Sequence, residues 1–325
     1  MRYLLRRLGF YLVAAWASLS LNFLVPRLMP GDPASAVFVR FQGQLEPGAL
    51  QALKEAFGFT GGPLLDQYTT YLSHVLRGDL GISVAYFPSP VSHVIATGLL
   101  WTLLLSGVAV LISFALGSLL GVLAGWRHGG WLDAVAPPLL TFVGAFPYFW
   151  LAMLTLYLFG LTLGWFPVRH AYGEALAPGF NFAFVGSVVR HLVLPAAVLV
   201  AGSLGGWMLT MRNAMLGVLA EDYITLARAK GLPEGRIMFR YAARNALLPS
   251  MTGLGMALGF VLSGSLLTEI VFSYPGQGYL LVQAVRNQDY PLMQGLFLMI
   301  TLAVLGANLL LDVLYVRLDP RVRLG

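Results

Sequence analysis

The run Glu221-Asp-Tyr-Ile-Thr-Leu-Ala-Arg-Ala-Lys-Gly231 lies at the centre of a polar, basic loop, Arg212 to Arg244, with a long apolar stretch on either side. That contrast decides the fold. An apolar stretch of about 20 residues is enough to cross a bilayer as a helix, and the polar loop between two such stretches must lie in water. Working outward, apolar runs recur at 8–28, 99–126, 134–163, 188–211, 247–272 and 292–315. The 325 residues are 58% hydrophobic and 10% charged, with mean hydropathy +0.76; a soluble domain carries roughly a quarter charged residues. The expectation is an all-α integral membrane protein with about six spanning helices and no separate soluble domain.

Six spans put both termini on one side. Arg2, Arg6, Arg7, Arg127, Arg212, Arg228, Lys230, Arg236, Arg240, Arg244, Arg317, Arg321 and Arg323 would all share that side, 13 of the 20 basic residues. The positive-inside rule therefore predicts cytoplasmic termini and a cytoplasmic loop 212–246. It also accounts for the net charge of +6 without any nucleic-acid partner. The chain then divides into 1–29, an N-terminus and first span, 30–97, an extracytoplasmic cap, and 98–325, a five-helix core. Small residues Ala15 and Ala17 resemble a signal-peptide cleavage site, but the apolar run continues to Val25, which favours an uncleaved first span. Within the cap, Pro47 opens a helical pattern of Leu50, Leu53 and Phe57, and Leu64, Tyr68, Tyr71, Leu72 and Val75 repeat it.

Inside the core, Pro137, Pro138 and Pro147 are expected to interrupt the third span, at a point facing other helices. The fourth carries Pro195 and the small series Ala201, Gly202, Ser203, Gly205 and Gly206, and the fifth carries Gly255 and Gly259 at a close-packing interval.

Several chemistries are missing from the sequence. A phosphate-cradling loop needs Gly-x-x-x-x-Gly-Lys-Ser/Thr, yet Lys54 precedes Glu55 and Lys230 precedes Gly231, so the chain is not expected to hydrolyse a nucleotide. The five histidines are scattered singly, and cysteine is absent, which leaves no metal site and no thiol nucleophile. Ionisable residues near the spans are Glu269, toward the outer end of the fifth, and Asp312, toward the cytoplasmic end of the sixth. Both read as interfacial hydrogen-bonding groups, with Glu269 also a candidate gate.

Within the loop, a short helix is expected from Glu221, with Glu221 and Asp222 at its positive end and Arg228 and Lys230 at its negative end. Gly231 and Pro233 stop it. Tyr223, Leu226, Ala227 and Lys230 share one side, and the small residues Ala227 and Ala229 suit close contact with a partner's groove. Beyond Pro233, Arg236, Arg240 and Arg244 form a stripe that snorkels to lipid phosphates, at about 1 kcal/mol per charge near an anionic surface.

The segment Asp222-Tyr-Ile-Thr-Leu-Ala-Arg-Ala-Lys-Gly-Leu232, followed by Arg244-Asn-Ala-Leu-Leu-Pro249, resembles the cytoplasmic signature of permeases of binding-protein-dependent ABC importers, in the dipeptide, oligopeptide and nickel branch. Thr225 replaces the Glu frequent in the wider superfamily, and the interval from Gly231 to Pro249 is longer than in sugar-type importers, both similar to this branch. Arg27-Leu-Met-Pro-Gly-Asp-Pro33, Arg77-Gly-Asp-Leu-Gly-Ile-Ser83, Phe146-Pro-Tyr-Phe-Trp150, Tyr274-Pro-Gly-Gln-Gly278, Asp289-Tyr-Pro291 and Leu318-Asp-Pro-Arg321 agree. The start of the chain resembles the first permease of the pair.

The resemblance implies a type I importer permease in a bacterial or archaeal inner membrane. It implies a second homologous permease forming a heterodimer, two cytoplasmic ATPase subunits that use ATP and Mg, and an extracytoplasmic solute-binding protein. The chain itself would bind no cofactor. Residues 221–235 become a coupling helix, with Glu221, Asp222, Tyr223, Leu226, Ala227, Arg228, Ala229, Lys230 and Gly231 as contacts for an ATPase. The stretch 30–97 becomes a dock for the binding protein. Tyr148, Phe149 and Trp150, with Glu269, are the candidate pathway or gate residues. A peptide is the expected solute; oligosaccharide import and secondary carriage stand as alternatives, and no His, Asp and Glu cluster favours nickel.

Overall fold

A computed structural model describes residues 2–28, 63–261 and 265–318. The helix opened by Pro47 lies outside these residues, as do Met29-Pro-Gly-Asp-Pro33 and Asp319-Pro-Arg321. The elements are α1 (Arg2–Leu28), α2 (Leu64–Leu76), α3 (Val91–Trp126), α4 (Trp131–Gly144), α5 (Tyr148–Thr162), α6 (Phe182–Leu219), α7 (Asp222–Ala229), α8 (Arg244–Val261), α9 (Leu266–Val271), α10 (Gln277–Arg286) and α11 (Tyr290–Leu318). Among the described residues, four helices are long and apolar enough to cross a membrane, or five if the bent pair α4 and α5 forms one span. The chain is thus a multi-pass membrane protein. The helix expected at 99–126 begins earlier, at Val91, and the one expected at 188–211 runs from Phe182 to Leu219.

Two compact units divide the chain. The first comprises residues 1–102, 262–266 and 275–325. There α1 packs on α11, and α10 and α11 pack on the start of α3. Their core is built from Val91, Val94, Ile95, Leu280, Tyr290, Met293 and Leu296. The helical pattern expected from Leu64, Tyr68, Tyr71, Leu72 and Val75 does form α2, which seats Tyr68 and Tyr71 on Phe23 of α1 at ring distances of 5.2 and 5.6 Å.

Two sets of hydrogen bonds within this unit join segments distant in sequence. Ser83 Oγ and the Ala85 N–H both donate to Asp289 Oδ2, joining Arg77–Ser83 to Asp289–Pro291. The Gln277 N–H donates to Thr102 Oγ1 and its Nε2 to the Ile95 carbonyl, each at 2.7 Å, and so fastens Pro275–Gly278 to α3. Gly98 makes room for this contact, since a Cβ there would come within 2.3 Å of Leu280 Cδ1.

The second unit, 103–261 and 267–274, is organised by the pairing of α3 with α6. Gly117, Gly121 and Gly125 recur every fourth residue of α3. A Cβ on them would lie 2.5 Å from Trp207 Cβ, 2.6 Å from the Met208 carbonyl oxygen and 2.7 Å from Met215 Cβ. Small residues at this interval let helix backbones approach where apolar burial gives no drive in lipid. Ser203 Oγ donates to Ser113 Oγ across the seam at 2.8 Å.

The small series foreseen on the fourth span receives α4 and α5. Gly205 lies against the Leu140 backbone and Gly202 under the Tyr148 ring. One expectation fails here: Pro137 and Pro138 remain inside α4, and the break comes only before Tyr148, at Pro147, where the helices turn by 95°. Pro147 caps α5, a position that needs no N–H.

Candidate coupling site

α6 has 38 residues, about 57 Å at 1.5 Å per residue. The hydrocarbon core is about 30 Å thick, so α6 must extend beyond it. After the Ala220 cap, the chain turns through Glu221 and enters α7, eight residues with Asp222 in the first turn and Arg228 in the last. Both charges complement the helix dipole.

The end of α7 is closed by a Schellman motif. The Leu232 N–H donates to the Ala227 carbonyl at 3.3 Å and the Gly231 N–H to the Arg228 carbonyl at 2.9 Å, while Gly231 takes φ +68°. Glycine adopts this left-handed conformation without the Cβ penalty. Leu232 and Ala227 share one apolar cluster, the contact that usually accompanies this cap. Pro233 then starts a new helical segment, Glu234–Arg236, which continues through a wide π-helical stretch, Ile237–Ala243, into α8.

One face of α7 is buried. Ile224 and Ala227 are almost fully covered by Val122, Met211, Met215, Ile237, Ala242 and Ala246. Sequence reading put Ala227 on the same side as Tyr223, Leu226 and Lys230, available to a partner. In the structure it faces the chain's own core, where its smallness lets α7 lie close to the stretch Ile237–Ala243. Ile224 was not singled out; the signal was its i,i+3 spacing with Ala227, followed by Leu232.

The opposite face is open. Glu221, Asp222, Tyr223, Leu226, Arg228, Ala229, Lys230 and Gly231 are all exposed, and Leu226 is 55% exposed although it is apolar. Side chains brace this face from beneath. Asn245 Nδ2 donates to Tyr223 Oη at 2.8 Å, and the Arg228 guanidinium lies 5.6 Å from the Trp126 ring centroid. Arg236, Arg240 and Arg244 are exposed as well.

The other predicted site residues lie apart from α7 in sequence and environment. Glu269 is fully buried in α9, and its carbonyl accepts the Tyr274 N–H at 2.8 Å. Tyr148, Phe149 and Trp150 follow the bend and remain substantially exposed. Phe146 stacks on Trp150 with centroids 5.8 Å apart, and Phe142 meets Phe146 edge-on at 5.1 Å.

Known proteins resemble the chain over nearly its whole length. The profile described as "Binding-protein-dependent transport system inner membrane component" matches residues 117–324. A putative peptide permease protein of Brucella suis is 35% identical over 323 residues, covering 99% of each chain. The di/tripeptide transport system permease protein DppB of Pseudomonas aeruginosa is 34% identical over 99% of this chain and 98% of its own. The oligopeptide transport system permease protein AppB of Bacillus subtilis is 34% identical over 93% of each. The chain therefore belongs to the family of inner membrane components of binding-protein-dependent transport systems, the permeases of ABC importers.

Proposed function

We propose that this chain forms half of the translocation pathway of an ATP-driven peptide importer, and that α7 is the element through which a partner ATPase moves it. The observation that carries the reading is the two-sided character of α7. Ile224 and Ala227 fix one face to the chain's core, and Tyr223, Leu226, Arg228 and Lys230 leave the other free to enter a groove. A helix held so firmly moves as a rigid body with the spans behind it.

Counting α4 with α5 as one span and α8 with α9 as another gives six, with both termini and α7 in the cytoplasm. The concentration of Arg and Lys in these segments supports that orientation. Arg236, Arg240 and Arg244 anchor the loop to lipid phosphates. A second permease, two ATPase subunits and a solute-binding protein complete the assembly, and the stretch 30–97 is the dock for the binding protein. The peptide assignment rests on relatives carrying peptide, di/tripeptide and oligopeptide names.

Replacing Leu226 with Asp puts a charge on the docking face without touching the core. Binding-protein-stimulated ATP hydrolysis by the complex should be lost; hydrolysis at the unmodified rate overturns the coupling assignment. Calorimetry of the associated binding protein with di- and oligopeptides and with oligosaccharides tests the solute.

A further inference from the structure

At the start of α4, Asp133 is the single buried residue of that 14-residue helix. Its carboxylate is 4% exposed and the Arg212 side chain 20%. A carboxylate taken out of water is tolerated only when its oxygens are fully engaged, and here they are. Arg212 reaches it in a fork, Nε to Oδ1 and Nη2 to Oδ2 at 3.0 Å. His128 Nδ1 lies 2.7 Å from Oδ2, and the Gly129 N–H donates to the same oxygen at 2.9 Å. Two nitrogen donors in a planar fork set orientation as well as distance.

These contacts join three pieces of chain: the turn after α3, the first turn of α4, and α6. Their positions matter for α7. The Arg212 backbone lies against Gly121 and Gly125 of α3, and its neighbours Met211 and Met215 form part of the core that holds Ile224 and Ala227. The C-terminal end of α3, the part of α6 around Arg212, the stretch Ile237–Ala243 and α7 thus share one packed block. Near this end α4 is tied to the block through Asp133. Its other close approaches to α6, at Leu140 with Gly205 and at Gly144 with Gly202, lie about two and about three turns further along, toward the bend at Pro147.

We propose that Asp133 and Arg212, assisted by His128, are positioning residues for transport. They latch α4 to the block that carries α7, so that displacement of α7 is passed to the bent span together with α3 and α6. The proposal rests on α7 being the coupling element. The work of the pair is to keep α4 from lagging when the block moves.

The chain has no cysteine, so paired spin labels can be placed on it without background from its own residues. Leu139→Cys on α4 and Gly217→Cys on α6 are exposed positions. The full complex with its partner permease and ATPases is measured nucleotide-free and trapped with Mg, ATP and vanadate. With the latch intact, the label separation should be the same in both states. Asp133→Asn or Arg212→Lys should make it shift on trapping by more than the width of the original distribution.

A shift in the unmodified latch overturns the proposal even if neither variant assembles, and so does an unchanged separation in the variants. Leu226→Asp, run in parallel, distinguishes the failures. Loss of stimulated hydrolysis there with no effect of Asp133→Asn on the separation sinks the latch alone; retained hydrolysis in Leu226→Asp sinks the coupling reading beneath it.

Discussion

Gly231 offers a clean separation of backbone conformation from space. It sits at φ +68°, and a Cβ built on it meets no atom within 4 Å. A substitution there is therefore opposed by the left-handed backbone and not by a clash. For an L-residue that penalty is about 1–2 kcal/mol, with Asn the least affected because its side chain bonds locally. On the other side of the balance stand the Schellman bonds, about 0.5–1.5 kcal/mol each, and the burial of Ile224, about 1.5–3 kcal/mol. α7 should therefore stay folded in Gly231→Ala while its end opens more often. A penalty near 1.4 kcal/mol corresponds to about tenfold more opening. Gly231→Val should be worse, since a β-branched residue is a stronger outlier at positive φ. Hydrogen exchange at the Gly231 and Leu232 amides, the two donors of the motif, reads this directly, and stimulated ATP hydrolysis should decline in the same order, Asn, Ala, Val. The reasoning is refuted if Val exchanges like the native residue, or if Asn, larger than Ala, exchanges faster than Ala, because size would then govern a cap with no atom of the chain within 4 Å of the Cβ.

Other substitutions separate core from surface. Ala227→Leu should act within this chain by overpacking the cluster around Met211 and Met215, at about 1–3 kcal/mol, and should lower the thermal unfolding midpoint of the permease pair even without ATPase subunits. Gly121→Leu should prevent folding of the second unit, because its Cβ would fall 2.6 Å from a backbone oxygen of α6; monodisperse, stable complex on size exclusion would contradict the close helix pairing. The Gly81 N–H and, secondarily, His74 hold the Asp79 carboxyl below its usual value of 3.8. A depressed folded value means that Asp79 contributes stability above the ordinary carboxylate range and loses it as the pH falls through the lower folded value. With both partners more than half exposed the contribution is about a fraction of a kcal/mol, so a carboxyl NMR titration is the suitable measurement, and a midpoint at or above the usual value would contradict it.

Much of the coupling site was legible because caps and stops are local. Asp222 at the start, Arg228 at the end, and Gly231 with Pro233 beyond it read as a short helix, and the helix is there. The face it presents was not legible. Ile224 with Ala227, and Tyr223 with Leu226, are both i,i+3 pairs, and eight residues hold too few turns for periodicity to choose between them. The bend was half legible: three prolines marked the third span, and only Pro147 lies at the break.

The chain sequence alone determined the membrane class, the polar loop, its expected side of the bilayer and the family, because apolar length, Arg placement and short motifs are properties of the linear order. Tertiary structure alone decided which distant residues meet. Ser83 finds Asp289 206 residues away, Asp133 finds Arg212 79 residues away, and Gly117, Gly121 and Gly125 become the seam of a helix pair. The physical reason is that a buried carboxylate or a bare backbone states only a need in the sequence. Which donor or neighbouring helix meets that need is settled by packing.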